Sequence, residues 1–360
     1  MNIWAYILKR VLLMIPTLFG VVAITFAVIQ FVPGGPVEQL LLEMKGRSNG
    51  AESGGGSSVA PSAGGASSQY RGRQGMDADQ VKEIQALYGF DKPVGQRFWQ
   101  MLKGFARFDL GQSFYHHADV WTLVVSKLPV SITLGLWTFF LTYLISIPLG
   151  IAKAVRAGSR FDAVSGAAVL VGYSIPGFVL GVFLLVMFGG GSFVQWFPLR
   201  GLTSDNWADL SVFGKITDYL WHIAMPVTAS VAGSFAVMTM LTKNTFLDEI
   251  RKQYVMTARA KGLSERTVLY KHVFRNALIP LVTGFPAAFI GAFFAGSLLI
   301  ETLFSLDGLG LLSYESVIRR DYPVVMGTLY LFTLIGLVVK LIGDLCYVWA
   351  DPRVQFESLA

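Results

Sequence analysis

Six stretches of this sequence are apolar over about the 20 residues a helix needs to cross a bilayer. They cover residues 11–32, 130–151, 163–188, 222–242, 279–300 and 324–348. The chain is 53% apolar and only 14% charged, with a mean hydropathy of +0.55, so 360 residues are better spent on one membrane domain than on two soluble ones. The expected fold class is all-α, a polytopic membrane protein with six transmembrane helices.

The charges between these stretches set an orientation. Lys9 and Arg10 precede the first span and place the N-terminus in the cytoplasm by the positive-inside rule. The connection between spans two and three carries Lys153, Arg156 and Arg160 against Asp162, and the one between spans four and five carries eight Lys or Arg against three acids. Both fall on the cytoplasmic side, the short loops assigned outside lack that excess of bases, and six crossings return the C-terminus to the cytoplasm. Residues 1–33 have the basic start of a secretory signal, but their apolar run is too long for one and Val32-Pro33-Gly34-Gly35-Pro36 is a poor cleavage site, so a retained first helix is expected. The formal charge of +6 sits beside membrane segments and so does not point to nucleic acid.

Four regions follow: residues 1–33 as the first helix, 34–129 as an external region, 130–350 as a core of five further helices with a cytoplasmic loop at 243–278, and 351–360 as a cytoplasmic tail. Within the external region, residues 46–75 are mostly Gly, Ser, Ala and Gln and read as a flexible insert, because they have too little apolar surface to bury. After it, Val81, Ile84, Leu87 and Tyr88 recur at helical spacing behind Asp77, and Phe98, Met101, Leu102 and Phe105 repeat that spacing before Gly111. The spacing predicts two amphipathic helices. Residues 120–128 lead into the second span.

The loop around Tyr254 is far too charged to cross a bilayer, so something soluble must meet it. Elsewhere the sequence offers little chemistry. It contains no Gly-x-x-x-x-Gly-Lys-[Ser/Thr], His-Glu-x-x-His or Gly-x-Ser-x-Gly, its four histidines are scattered, and its single Cys346 rules out an intrachain disulfide and a zinc site of the usual spacing. No catalytic residue, metal site or cofactor is expected on this chain. Charges inside the spans reduce to Lys340 and Asp344, one helical turn apart and read as a structural ion pair. Pro176 and Pro286 interrupt spans three and five and are candidate kink or gating positions.

The polar loop reads Tyr254-Val255-Met256-Thr257-Ala258-Arg259-Ala260-Lys261-Gly262-Leu263, then His272-Val273-Phe274-Arg275-Asn276-Ala277-Leu278-Ile279-Pro280. With Asp109-Leu110-Gly111-Gln112-Ser113, Tyr88-Gly89-Phe90-Asp91-Lys92-Pro93 and Asp351-Pro352-Arg353, it resembles the dipeptide and oligopeptide branch of the integral-membrane subunits of bacterial ABC importers. Leu241-Thr242-Lys243-Asn244, Phe246-Leu247-Asp248-Glu249 and the Gly/Ser insert look closest to the part of that branch that takes up peptides and microcin C.

The resemblance implies a type I importer permease fold in the bacterial inner membrane. It also implies an alternating-access route for peptides of which this chain supplies half, and a heterodimer with a second, homologous permease. An external solute-binding protein would deliver the peptide, and an ABC ATPase with two nucleotide-binding domains would bind ATP and Mg. The carried-over coupling helix would lie near Thr257 to Leu263, with Tyr254, Thr257, Ala258, Arg259, Ala260, Lys261, Gly262 and Leu263 as the docking residues. Small side chains there would permit close docking, Arg259 and Lys261 would offer ion pairs, and Gly262 would let the chain turn. A competing reading is a standalone channel or membrane receptor whose basic loop binds anionic lipid.

Overall fold

A computed structural model describes residues 3–31, 91–190, 193–294 and 297–350. The insert at 46–75, the helix expected from Asp77 and the tail 351–360 lie outside the described residues. Among the described residues the regular structure is helical, apart from two isolated β-bridges, Gln112 with Asp119 and Gly189 with Gln195.

In chain order the helices are α1 (Ile3–Phe31), α2 (Val94–Phe105), α3 (Val120–Val155), α4 (Arg160–Ser174), α5 (Gly177–Phe188), α6 (Val212–Ile250), α7 (Gln253–Ala260), α8 (Ile279–Phe294), α9 (Leu298–Leu303), α10 (Leu309–Ile318) and α11 (Tyr322–Ala350). Four of them, α1, α3, α6 and α11, are long and apolar enough to cross a membrane. Two bent pairs bring the number to as many as six: α4 with α5, meeting at 91°, and Glu265–Ala277 with Ile279–Ala292, meeting at 50°. Helix α3 starts at Val120 and α6 at Val212, each about ten residues before the apolar stretch it contains. Intrahelical hydrogen bonds are satisfied equally well in water, so a helix has no reason to stop where hydrocarbon begins.

The ends are set locally. Ser211 caps α6 by accepting from the Gly214 N–H at 3.2 Å, and Ser159 caps α4 by accepting from the Asp162 N–H at 3.3 Å. Such caps satisfy donors that the first turn leaves free.

The described chain falls into two compact units. Of the described residues, the first comprises those in 3–16, 124–314 and 332–350. One of its cores gathers Leu134 of α3, Ile223, Met225, Val227 and Ala229 of α6, Ile300 of α9, and Phe304 and Leu306. Small residues let its helices approach closely: a Cβ on Gly135 would sit 1.6 Å from the Ala292 carbonyl oxygen, and one on Gly150 would sit 2.6 Å from Cβ of Thr242. Glu301 is fully buried and accepts from the N–H groups of Ser297 at 3.2 Å and Leu311 at 2.8 Å, while Ser131 accepts from the Leu309 N–H at 2.9 Å. These bonds tie the turn between α9 and α10 to α3.

Asp344 does not pair within its own helix with Lys340. Its carboxylate meets Arg10 of α1 at 3.1 Å and accepts from the Tyr6 hydroxyl at 2.9 Å. The reason is reach: α1 brings a guanidinium and a phenol to the face where Asp344 stands, and two hydrogen-bonding partners outweigh one flexible lysine free to extend toward water.

The second unit comprises, of the described residues, 17–31, 91–123 and 315–331. In it, Phe98 of α2 packs against Phe19 and Phe26 of α1, and Phe105 packs against Tyr330. The Asp321 carboxylate accepts from the Ser113 hydroxyl and from the Phe114 N–H at 3.0 Å, so it fixes the loop that follows α2.

Candidate functional site

Helix α6 runs eight residues past its apolar stretch, from Lys243 to Ile250, and the chain then turns through Lys252 into α7. Helix α7 spans only eight residues, and its sequence alternates what it hides and what it shows. Val255 and Ala258, three apart and so on one face, are buried against Phe246, Val268, Val273 and Ala277, with Ala154 of α3 completing the cluster. Met256, Thr257, Arg259, Ala260, Lys261, Gly262 and Leu263 are exposed. The structure therefore brings together most of the docking residues expected from the sequence, and it turns Ala258 and, in part, Tyr254 inward.

Tyr254 holds this loop to the helices around it. Its hydroxyl donates to the Glu249 carboxylate at 2.8 Å and accepts from the Asn276 side-chain amide at 3.1 Å. Glu249 is mostly buried and is also met by Lys252 at 2.5 Å. Burial pushes the Tyr254 phenol above its ordinary value; the Asn276 hydrogen bond opposes that shift, and Glu249 adds to it. Glu249 and Asn276 stand in the motifs that carry the resemblance, but neither was expected among the docking residues. They lie 5 and 22 residues from Tyr254, separations to which no local pattern points.

The helix ends at Ala260 with Lys261 as its C-cap, short of the Leu263 expected as its end, and the cause is Gly262. Its φ of +79° is left-handed, a conformation that costs other residues about 1–2 kcal/mol. The Gly262 N–H reaches the Arg259 carbonyl at 2.9 Å and the Leu263 N–H reaches the Ala258 carbonyl at 3.4 Å, the paired bonds of a Schellman cap. Arg259 then pairs in two-pronged fashion with Glu265, at 2.8 and 3.1 Å, so much of its charge is spent within the chain. Lys261 makes no ion pair among the described residues. A new helix opens at Ser264, passes into a π-helical stretch at Val268–Val273 and continues through Phe274–Ala277 to the bend at Leu278. Such a wide-turn insertion is rare and is found mostly at functional sites.

Of the two candidate kinks, Pro176 stands at the 91° break between α4 and α5. Pro286 lies inside the continuous α8, and the bend of that span falls at Leu278 instead. Between α3, α6 and α8 the first unit encloses an open cleft of about 850 Å³ whose walls include Thr138, Phe139, Thr142, Tyr143, Gly233 and Gly291. The Thr138 and Thr142 hydroxyls, one turn apart on α3, are buried without a hydrogen-bond partner among the described residues. Among the described residues there is no group of three His, Cys, Asp or Glu able to hold a metal ion.

The comparisons with known proteins give these features a context. The chain is 54% identical over 369 residues to the inner membrane ABC transporter permease protein YejB of Escherichia coli O157:H7, covering 98% of this chain and 99% of that one. It is 54% identical over 358 residues to the peptidoglycan transport system permease protein YejB of Agrobacterium fabrum, covering 98% of each. Identity falls to 30% over 353 residues with the oligopeptide transport system permease protein AppB of Bacillus subtilis, at 98% and 99% coverage. Among solved structures, a chain of the MetNI methionine ABC transporter in an inward-facing conformation is similar at a TM-score of 0.48, with 18% identity, covering 64% of this chain and 97% of that one. Residues 146–356, which include α7, its buried cluster and the cleft-lining part of α6, match the family described as binding-protein-dependent transport system inner membrane component. The chain belongs to that family and is a multi-pass protein of the bacterial inner membrane.

Proposed function

We propose that this chain is the permease subunit of an ATP-driven peptide importer and that α7 with its cap, Gln253 to Leu263, is where it receives free energy. The observation that carries the reading is the two-sided construction of α7. One face is anchored in a private core, and the other leaves Met256, Thr257, Ala260, Lys261 and Leu263 exposed among the described residues. Its core is continuous with α6, so a load placed on α7 passes into the helices that line the cleft.

ATP and Mg belong to a partner ATPase with two nucleotide-binding domains, whose closure draws the coupling helices together. The spans then rock between outward- and inward-open states, a shift limited by the difference in nucleotide affinity between them. In this reading six spans cross the membrane with both termini in the cytoplasm. A second, homologous permease completes the route, an external solute-binding protein delivers the cargo, and the cleft beside Thr138 and Thr142 is this chain's share of the path. Relatives are named for oligopeptide and peptidoglycan transport. Peptides, including peptide antibiotics of the microcin C kind, are the substrate class this supports.

The test is to purify the chain from its native membranes with whatever accompanies it, reconstitute it in vesicles, and measure peptide uptake and ATP hydrolysis. An ATPase pair should co-purify, uptake should require ATP, and Gly262→Arg should abolish uptake while leaving membrane insertion intact. Flux without nucleotide, or normal uptake by Gly262→Arg, would refute it. The first of those results is what a standalone channel with a lipid-binding loop would give.

A further inference from the structure

At the end of α3, Lys153 is completely buried. An ammonium has three protons to place, and the structure supplies three acceptors. They are the Asp162 carbonyl at 2.8 Å, the Ser165 hydroxyl at 2.9 Å and Asp162 Oδ1 at 3.0 Å. All three lie in the first turns of α4, so this lysine fastens α4 to α3. The same carboxylate has a second cation. Lys243 of α6 reaches Asp162 Oδ1 at 2.7 Å and Oδ2 at 2.9 Å. A further hydrogen bond comes from the Gly158 N–H at 3.2 Å, made possible by the left-handed φ of +80° at Gly158. The positive end of α4 also favours the carboxylate where it stands.

Asp162 thus joins α3, α4 and α6 at this end of the first unit. The place matters. Lys243 is the first residue beyond the apolar stretch of α6, about two helical turns before α6 ends and the chain turns into α7. One residue earlier, Thr242 leaves room only for the hydrogen of Gly150 on α3, so α3 and α6 are in close contact at the same level. Helix α4, held by Asp162, leads to the 91° break at Pro176.

We propose that Asp162 is a positioning residue for transport: through Lys243 it makes α4 follow α6 whenever α7 is displaced, and through Lys153 it makes the end of α3 follow as well. This rests on the reading of α7 as the point of energy input. The two cations divide the work. Lys153 and Asp162 form a charge-balanced buried pair that holds the α3–α4 turn, and Lys243 is the detachable tether to α6. Removing Lys243 cuts the link without leaving a buried charge unpaired, whereas removing Asp162 strands an ammonium and threatens folding.

The decisive variant is therefore Lys243→Met, in the complete complex co-purified from native membranes and reconstituted in vesicles, with peptides transported per ATP hydrolysed as the readout. Assembly and ATP hydrolysis should stay at wild-type levels while transport per ATP falls on the order of fivefold, the scale at which residues outside a binding site modulate coupling. Lys243→Arg, which keeps a two-pronged contact with the carboxylate, should restore most of it. Transport per ATP unchanged in Lys243→Met would overturn the proposal. A purely structural lysine would lower abundance without altering that ratio, and that result also counts against it.

A second measurement leaves the Lys243–Asp162 contact itself unaltered. Spin labels at Arg160→Cys on α4 and Leu241→Cys on α6, with Cys346→Ser, should keep their separation to within about 3 Å between the nucleotide-free and ATP-bound complex, since linked helices shift together. A larger change in separation overturns the tether. Absence of any co-purifying ATPase would instead sink the underlying functional reading, so the two failures are distinguishable.

Discussion

Replacing Tyr254 by Phe keeps the ring and deletes one oxygen, so its effect can be worked out bond by bond. The hydroxyl donates one short hydrogen bond to Glu249, a carboxylate that is 7% exposed, and accepts one from the exposed Asn276. Water can replace the lost partner of Asn276, so that bond contributes little. Glu249 keeps Lys252, whose side chain is 57% exposed and holds only one carboxylate oxygen. What is lost is a single bond to a buried charged group, about 1.5–2 kcal/mol at the lower end of such bonds. The cost should fall on the opening of α7 from its cluster, because Tyr254 fastens the first turn of α7 to α6 and to the end of the loop.

Hydrogen exchange with mass spectrometry on the purified protein reads that opening directly. Amides of residues 255–263 should exchange about 10- to 30-fold faster in Tyr254→Phe, given 1.36 kcal/mol per decade, while amides in the middle of α6 stay as they were. Exchange within about twofold of wild type would refute the assignment of Tyr254 as the fastener of this loop. Faster exchange spread over α6 as well would refute its being local.

Other perturbations follow from the same geometry. Glu301→Ala leaves the N–H groups of Ser297 and Leu311 without their acceptor in a fully buried site, and should cost about 3 kcal/mol or more, seen as loss of protein from the membrane fraction. Gly135→Ala places a methyl group against the Ala292 carbonyl, forcing α3 and α8 apart at a cost of about 1–3 kcal/mol, measurable as a lower midpoint of thermal unfolding in detergent. The raised Tyr254 phenol gives a pH dependence of known sign. The folded form holds the proton more tightly, so its stabilising effect is complete below the ordinary phenol value of 10.0 and is lost as pH rises through the higher folded value. An ultraviolet titration of wild type minus Tyr254→Phe should therefore show this tyrosinate only above pH 10.

How much of this was legible in the sequence depends on how far apart the interacting residues are. Apolar runs of bilayer length announced α1, α3, α6 and α11, and a Gly after Ala260 and Lys261 announced where α7 stops. The same signals misplace helix starts, because Val120 and Val212 begin their helices about ten residues before the long apolar runs that hydropathy registers. The bend at Leu278 was expected at Pro286, since proline is the local signal for a kink; the π-helical stretch at Val268–Val273 has none. The private core of α7 is invisible to any window, because Ala154 and Val255 are a hundred residues apart and meet only after folding. Asp162 looked like a lone acid in a basic loop. Its partner Lys243 is 81 residues away. Asp344 was paired with the nearest cation in sequence, and the true partners belong to the other end of the chain.

That last pair has a consequence for how the protein is made. Tyr6 and Asp344 are 338 residues apart, and a ribosome adding about 5–20 residues per second needs roughly 17–70 seconds to get from one to the other. For all of that interval Arg10 must sit at the edge of the bilayer with no carboxylate from α11 to meet it, which its long side chain permits by extending toward the headgroups. Asp344 therefore has no part in how the first helix enters the membrane. The bond to Asp344 arrives as a closing fastener, made once the last helix has been threaded, and it can report that synthesis is finished but cannot have guided how it began.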